Sequence, residues 1–436
     1  MTVVANADTI ITVNLEEETE YESLTINENS VKFVPANTSS GVVKITGMTV
    51  IGTVVTNAYG AVDMSGGPMT IAADGDITFD YSAYDASAIY TTTDIPLTSD
   101  VDRDDSKVHL IAPVSPYRTY SLVYTSGHYA MHVVPNHEAG SAVYYTGGYW
   151  SSVEPGFSVV NSEGDSTTVF PGDTVVIDSN ATGEQTSSCY FASSLPANVT
   201  KIKVDKNYTF EPGGDAAILG GVTVEVSEGC TLTFAQTWHT LTLGAVTFTG
   251  AGTVSLPTLQ SSVSVSDTWT GTIVLPSVEA EGLVLDNYGR TGSTIALSGI
   301  TSGYLSPSHT AVAAALRLDG NVSITAMSVR EYSFAKISGT GNLSFATTGD
   351  QPTSVTIGEV AEGYSGAISS TLTTPVTITT LAREAGTSTA YGTKLLTTSG
   401  NVKASALTIG GETSNTPIRT RTDGIYVVAG TIFSVY

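Results

Sequence analysis

The sequence predicts an all-β chain, mostly a parallel β-helix or β-solenoid. Three observations carry this. Polar and apolar residues alternate with a period of two along much of the chain. Gly, Asn, Asp and Pro interrupt that alternation every few residues. A glycine-bearing motif then recurs at two well-separated places. A strand turns successive side chains to opposite faces, so period-two alternation buries one face and wets the other. Thr and Val are crowded throughout, and β-branched residues favour the extended backbone.

The alternation is plain in Thr231–Leu232–Thr233–Phe234, Thr240–Leu241–Thr242–Leu243, Thr272–Ile273 and Thr377–Ile378–Thr379. Gly220–Gly221, Gly250 to Gly252, Pro276, Gly339 to Gly341 and Pro375 punctuate such runs. Strands of about 4–6 residues follow. The segment His309 to Leu316 is alanine-rich and reads equally as a short helix or as a buried strand running into Leu318.

Two stretches repeat. Gly250-Ala-Gly252-Thr-Val254-Ser-Leu256 is followed by Trp269-Thr-Gly271-Thr-Ile273. Gly339-Thr-Gly341-Asn-Leu343-Ser-Phe345 is followed by Tyr364-Ser-Gly366-Ala-Ile368. A weaker echo links Gly127 to Val134 with Gly424 to Val428 and suggests the ends of two modules. Short strands cannot each bury a face alone, but stacked coils share one core. Stacking also accommodates a 436-residue chain, which a single compact core would not.

The G-x-G-T-V-S-L run followed by W-T-G-T-I resembles the strand repeats of autotransporter passengers and similar secreted bacterial β-solenoid proteins. The resemblance covers roughly residues 220–380. It implies a right-handed parallel β-helix displayed at, or shed from, a cell surface. The chain departs from that pattern at both ends: the sequence predicts neither a secretory leader nor a terminal translocator barrel.

Residues 1–150 are less regular. Strands are expected at Thr9–Val13, Val43–Ile45 and Ile77–Tyr81. This region is read as more solenoid, or as an irregular or sandwich-like β domain. A boundary is expected near Gly147–Phe157, leaving residues 151–436 as the solenoid repeat domain.

Composition excludes several functions. The 41 acidic and 17 basic side chains give a net charge of −24, with only 13% charged residues against about 25% in an ordinary domain. Nucleic-acid binding needs clustered Lys and Arg, which are missing. No run of 18 apolar residues predicts a transmembrane helix. Two cysteines, Cys189 and Cys230, cannot form a disulfide framework.

Candidate chemistry is sparse. Tyr144, Tyr145, Tyr149 and Trp150 form the carbohydrate-binding candidate, because flat rings stack on pyranose faces and Gly147–Gly148 could leave them open. Packing at a domain junction is the competing reading. His128, His132 and His137 are candidate metal ligands, or polar residues on a wet strand and loop. Asp100-Val-Asp102-Arg-Asp104-Asp105 resembles the start of a calcium loop but lacks its later Gly and Glu, so it reads as a solvated turn. Glu16 to Glu18 with Glu20 reads as a solvated edge. Asp286 and Arg290 are the best local pair for polysaccharide cleavage, or a coil corner. The chain's negative charge would repel a polyanionic substrate. Sequons at Asn37, Asn180, Asn198, Asn207, Asn321 and Asn342 are attributed to a Thr/Ser-rich chain. No G-x-S-x-G, P-loop or HExxH motif is present.

The expected function is an extracellular or cell-surface structural and adhesive module. It would have no catalytic activity, no cofactor and no metal. Surface glycans or other copies of the chain are its expected partners. A β-helix polysaccharide lyase or hydrolase, and a phage tail fibre or spike, are the alternatives.

Overall fold

The computed structural model describes residues 2–4, 11–15, 20–21, 24–27, 31–35, 43–51, 62–63, 69–98, 103–148, 150, 157–179, 188–191, 195–212, 217–235, 241–257, 263–276, 278–279, 285–304, 311–326, 329–347 and 349–428. Among these residues there is no α-helix, only a 3-10 turn at Leu285–Asn287. The chain divides into two compact units: residues 1–141 with 160–172, and residues 142–159 with 173–436. The expected boundary at residue 150 falls within the 142–159 segment of the second unit.

The second unit is a parallel β-solenoid. Its strands alternate as the sequence predicts: Val222, Val224 and Val226 are buried while Thr223 and Glu225 are exposed. Along the stack, strands such as Lys201–Val204 and Val222–Val226 pair in parallel with the strand one coil later. Position for position, Tyr208 lies beside Leu232, then Val254, Ile273, Ile295, Leu316, Ile337, Val360, Leu381 and Leu407. These side chains are between 0 and 2% exposed. Each fully buried aliphatic contributes about 1.5–3 kcal/mol relative to exposure. A one-residue slip would turn the whole column outward, so the register is strongly specified.

The outward columns carry hydroxyls. Thr231, Thr253, Thr272 and Thr294 stand in register and are half-exposed. On another sheet Ser323, Ser344, Ser369 and Ser399 stand in register, the first three half-exposed and Ser399 exposed, with Ser323 Oγ 2.7 Å from Ser344 Oγ.

The ambiguous alanine-rich segment is the strand Ala311–Leu318. Val312, Ala314, Leu316 and Leu318 point inward, while Ala311 and Ala313 are exposed. Its neighbours in the stack override the helix propensity of alanine.

The recurring motif is a coil corner. Gly250 and Gly339 adopt φ of 100° and 96°. The Val226 carbonyl accepts from the Ala251 and Gly252 amides, and the Leu318 carbonyl accepts from the Thr340 and Gly341 amides. A Cβ on Gly252 would lie 2.5 Å from the Ser227 carbonyl oxygen, and one on Gly341 would lie 1.9 Å from that of Gly320. The two copies occupy different corners. The first leads into the long sheet containing Thr253–Ser255; the second leaves that sheet for the one containing Leu343–Phe345.

The stack ends in antiparallel pairing. Glu412–Ser414 folds back on Val402–Ile409, and Gly424–Val427 lies antiparallel between Lys394–Gly400 and Ile418–Arg421. Cys230 is a free thiol, so no bridge joins it to Cys189.

The first unit begins with parallel pairs. Val43–Ile51 pairs with Met69–Asp80, which pairs with Val108–Ile111. It then turns antiparallel: Thr93–Pro96, His128–Pro135 and Arg118–Thr125 form a three-stranded sheet. Ser126 and Gly127 both have positive φ, at 49° and 86°, as a tight hairpin between right-twisted strands requires. The Gly127 and Gly424 echo therefore marks two antiparallel hairpins. The N-terminal region is thus partly parallel stack and partly an antiparallel sheet.

Candidate functional site

Two of the four residues of the expected sugar platform are buried. Tyr145 and Trp150 are 0% exposed, and their ring centroids lie 5.1 Å apart. Trp150 also meets Phe157 at 5.0 Å and Phe210 at 5.2 Å, edge to face. The Tyr145 hydroxyl donates to the Gly148 carbonyl. These rings are core, and no face of either is open to a pyranose. Tyr144 is half-exposed, and Tyr149 lies outside the described residues. Aromatic side chains bury more area than any others, so a cluster beside glycines was drawn into the second unit's core.

A cleft of about 460 Å³ lies instead in the first unit. Tyr90, Thr91 and Thr92 form one side, ahead of the strand Thr93–Pro96. Val134, Pro135, Asn136, His137, Glu138 and Ala139 form the other, where the strand His128–Pro135 ends. Proline cannot extend the ladder, so the chain leaves the sheet there and presents Asn136 to Ala139 as a loop.

That loop is fixed from behind. Thr167, 4% exposed, donates from Oγ1 to Asn136 Oδ1 at 2.6 Å and lies 2.7 Å from His137 Nδ1. A hydroxyl has one proton to give. One hydroxyl thus ties the Asn136 amide and the His137 ring together. Asn136 Nδ2 donates to the Ser166 carbonyl. Asn161, 4% exposed, donates to the Asn136 carbonyl at 2.9 Å and accepts the Glu163 and Asp165 amides. The His137 ring stacks on Phe170 at 4.1 Å, and Tyr90 meets the same phenylalanine edge-on at 5.2 Å. Arg118 lies over Phe170 at 5.3 Å and donates to the Ile89 and Ser87 carbonyls. It is 5% exposed, and burial lowers its pKa.

The candidate metal ligands do not converge. Among the described residues no three His, Cys, Asp or Glu side chains gather. His132 Nδ1 lies 2.5 Å from Asp94, while His137 faces Thr167. Of the acidic run, Asp100 and Asp102 lie outside the described residues. Asp105 is held by Arg103 at 2.7 Å, and Asp104 receives the Ser106 hydroxyl. Arg290 pairs with Asp267 at 3.3 Å, and the Asp286 side chain lies outside the described residues. Glu16 to Glu18, Asn37 and Asn180 also lie outside them.

Three sequons gain a structural meaning. Asn207, Asn321 and Asn342 sit at coil corners, and each side-chain oxygen accepts an amide from the next coil, at Thr231, Asn342 and Ala367. An apolar residue then points inward and a hydroxyl outward, which spells Asn-x-Ser or Asn-x-Thr.

In the sequence His137 reads as a metal ligand or a wet polar residue, and nothing there singles out Tyr90, Thr91 or Thr92. The polar run after Pro135 was the available signal. Its partner strand could not be assigned without the antiparallel register. Among the described residues no helix is long and apolar enough to cross a membrane. No family model, curated protein or solved structure matches the chain.

Proposed function

We propose that this chain is a structural and adhesive β-solenoid module at the cell surface, without catalytic activity. In this reading it resembles an autotransporter passenger and carries its contacts to surface glycans, or to other copies of itself, on outer faces and loops. The observation that carries the reading is the in-register core column from Tyr208 to Leu407, flanked by outward columns of Thr and Ser. Such a stack extends by adding coils and needs no partner to complete its core. Its wet faces offer hydroxyls over a long surface.

The test uses the full chain, labelled and applied to whole cells and to a panel of polysaccharides. Saturable binding with no oligosaccharide product is expected. Release of new chain ends would establish an enzyme instead. Failure to bind any cell or glycan would remove the adhesive reading.

A further inference from the structure

We propose that the cleft between Tyr90 and Glu138 in the first unit binds a neutral saccharide. The proposal rests on the adhesive reading and names its ligand class and site.

The cleft is preorganised. Arg118, Asn161 and Thr167 are each at most 5% exposed and stand behind one short surface loop or its supporting ring, Phe170. Burying polar side chains is unfavourable unless their hydrogen bonds are made, and here those bonds all serve to fix backbone or ring orientation. Thr167 sets the Asn136 amide and the His137 ring together. A loop that only connected two strands would not need its rings locked this way. Locked side chains over a satisfied support are what precise ligand recognition requires.

The lining fits a sugar. Val134, Pro135 and the Tyr90 ring offer an apolar wall that suits the C–H face of a pyranose. The Thr91 and Thr92 hydroxyls can donate or accept. The Glu138 carboxylate is an acceptor for sugar hydroxyls. Glu138 is exposed and has no hydrogen bond or ion pair among the described residues. The volume of about 460 Å³ falls in the range of small-ligand clefts, roughly 300–1,000 Å³.

Charge selects the class. Among the described residues no Lys or Arg lines the cleft; Arg118 is engaged behind it with Ser87 and Ile89. Glu138 lies at the rim of a chain with net charge −24. A uronate or sulfated sugar would meet a carboxylate and a repelling field with no cation to offset either. A neutral hexose or N-acetylhexosamine meets no such opposition.

The experiment is a glycan array on the full-length chain, followed by calorimetric titration of the neutral oligosaccharides it retains. Two variants accompany it. Ala139→Trp fills the cleft from an exposed position, and Glu138→Ala removes the rim acceptor. Far-UV circular dichroism and melting temperature establish that both remain folded. Expected are retention of neutral saccharides and a loss of affinity of at least tenfold in each variant. Little change is expected between 0.15 and 1 M salt. A blank array, retention of acidic glycans only, or native affinity in Ala139→Trp would overturn the proposal. Cell binding that survives in Ala139→Trp likewise overturns the cleft assignment and leaves the adhesive reading intact. Absence of cell binding by the native chain removes the adhesive reading, while the titration still decides the cleft.

Discussion

Gly341 and Gly349 lie eight positions apart, and substitution should separate them. A Cβ on Gly341 would sit 1.9 Å from the Gly320 carbonyl oxygen, whereas one on Gly349 meets nothing within 4 Å. Gly341→Ala must push two coils apart and should cost about 1–3 kcal/mol, as overpacking does. Gly349→Ala should be neutral or slightly stabilising, by restricting the unfolded chain. Urea unfolding midpoints read both. The same corner holds Tyr364, whose hydroxyl donates to the Gly341 carbonyl at 3.0 Å. Tyr364→Phe strands that buried acceptor and should cost about 1–2 kcal/mol. A third residue responds to pH. Burial, with Asp105 accepting its hydroxyl, pushes Tyr129 up to about 12 from 10.0. A raised folded-state pKa means the neutral phenol stabilises the fold. That contribution is whole below pH 10 and is lost as pH rises from 10 through 12. Tyr129→Phe should therefore reduce the slope of stability against pH in that window, measured by urea titration at fixed pH values. At this scale the sequence was informative about corners, since Gly250 with Gly252 and Gly339 with Gly341 mark them in plain text. It was silent on Asn207, Asn321 and Asn342. Their role depends on which amide the next coil brings within reach.

The antiparallel strands at the end of the stack act as a stop. Parallel coils leave the last strand's backbone donors and acceptors open to another chain. Here Glu412–Ser414 covers the edge of Val402–Ile409, and Gly424–Val427 covers that of Lys394–Gly400. The outer strand Ile418–Arg421 is short and exposes Arg419 and Arg421. Short, charged edges resist further pairing. Ending the chain after Gly411 removes these covers. Such a variant should self-associate more strongly than the full chain at the same concentration. Sedimentation velocity measures this, and a size distribution unchanged from that of the full chain would show that the cover has another role. Strand identity was legible wherever apolar and polar residues alternated, as in Thr231–Phe234. The direction of pairing was not, because alternation is the same for parallel and antiparallel neighbours. That is why the hairpins at Gly127 and Gly424 registered only as an echo. The cleft is hidden for the same reason: Tyr90 and His137 come to line it through the order in which Thr93–Pro96 and His128–Pro135 pair.

For the whole molecule, charge sign and charge scarcity act together. Half-exposed columns such as Thr231 to Thr294 and Ser323 to Ser369 carry hydroxyls, which hydrate a sheet but do not repel a second copy. Repulsion falls to the 41 carboxylates, opposed by only 17 cations. Carboxylates in contact with water titrate near pH 4, and the net charge vanishes near pH 4.4. Between pH 7 and that point the chain should pass from mutually repelling to mutually attracting. Static light scattering should show the second virial coefficient falling from positive to negative on acidification. Salt offers an independent lever, because it shortens the screening length from about 8 Å at 0.15 M to about 3 Å at 1 M. Strong salt at pH 7 should therefore reproduce part of the acid effect without protonating any group. Circular dichroism recorded alongside must stay that of the native β fold, so that association of folded chains is what scatters. A virial coefficient that stays positive at pH 4.4 would place the source of solubility in the hydrated hydroxyl faces instead. It would also weaken the use of net charge to exclude acidic glycans from the cleft, leaving Glu138 alone to select against them.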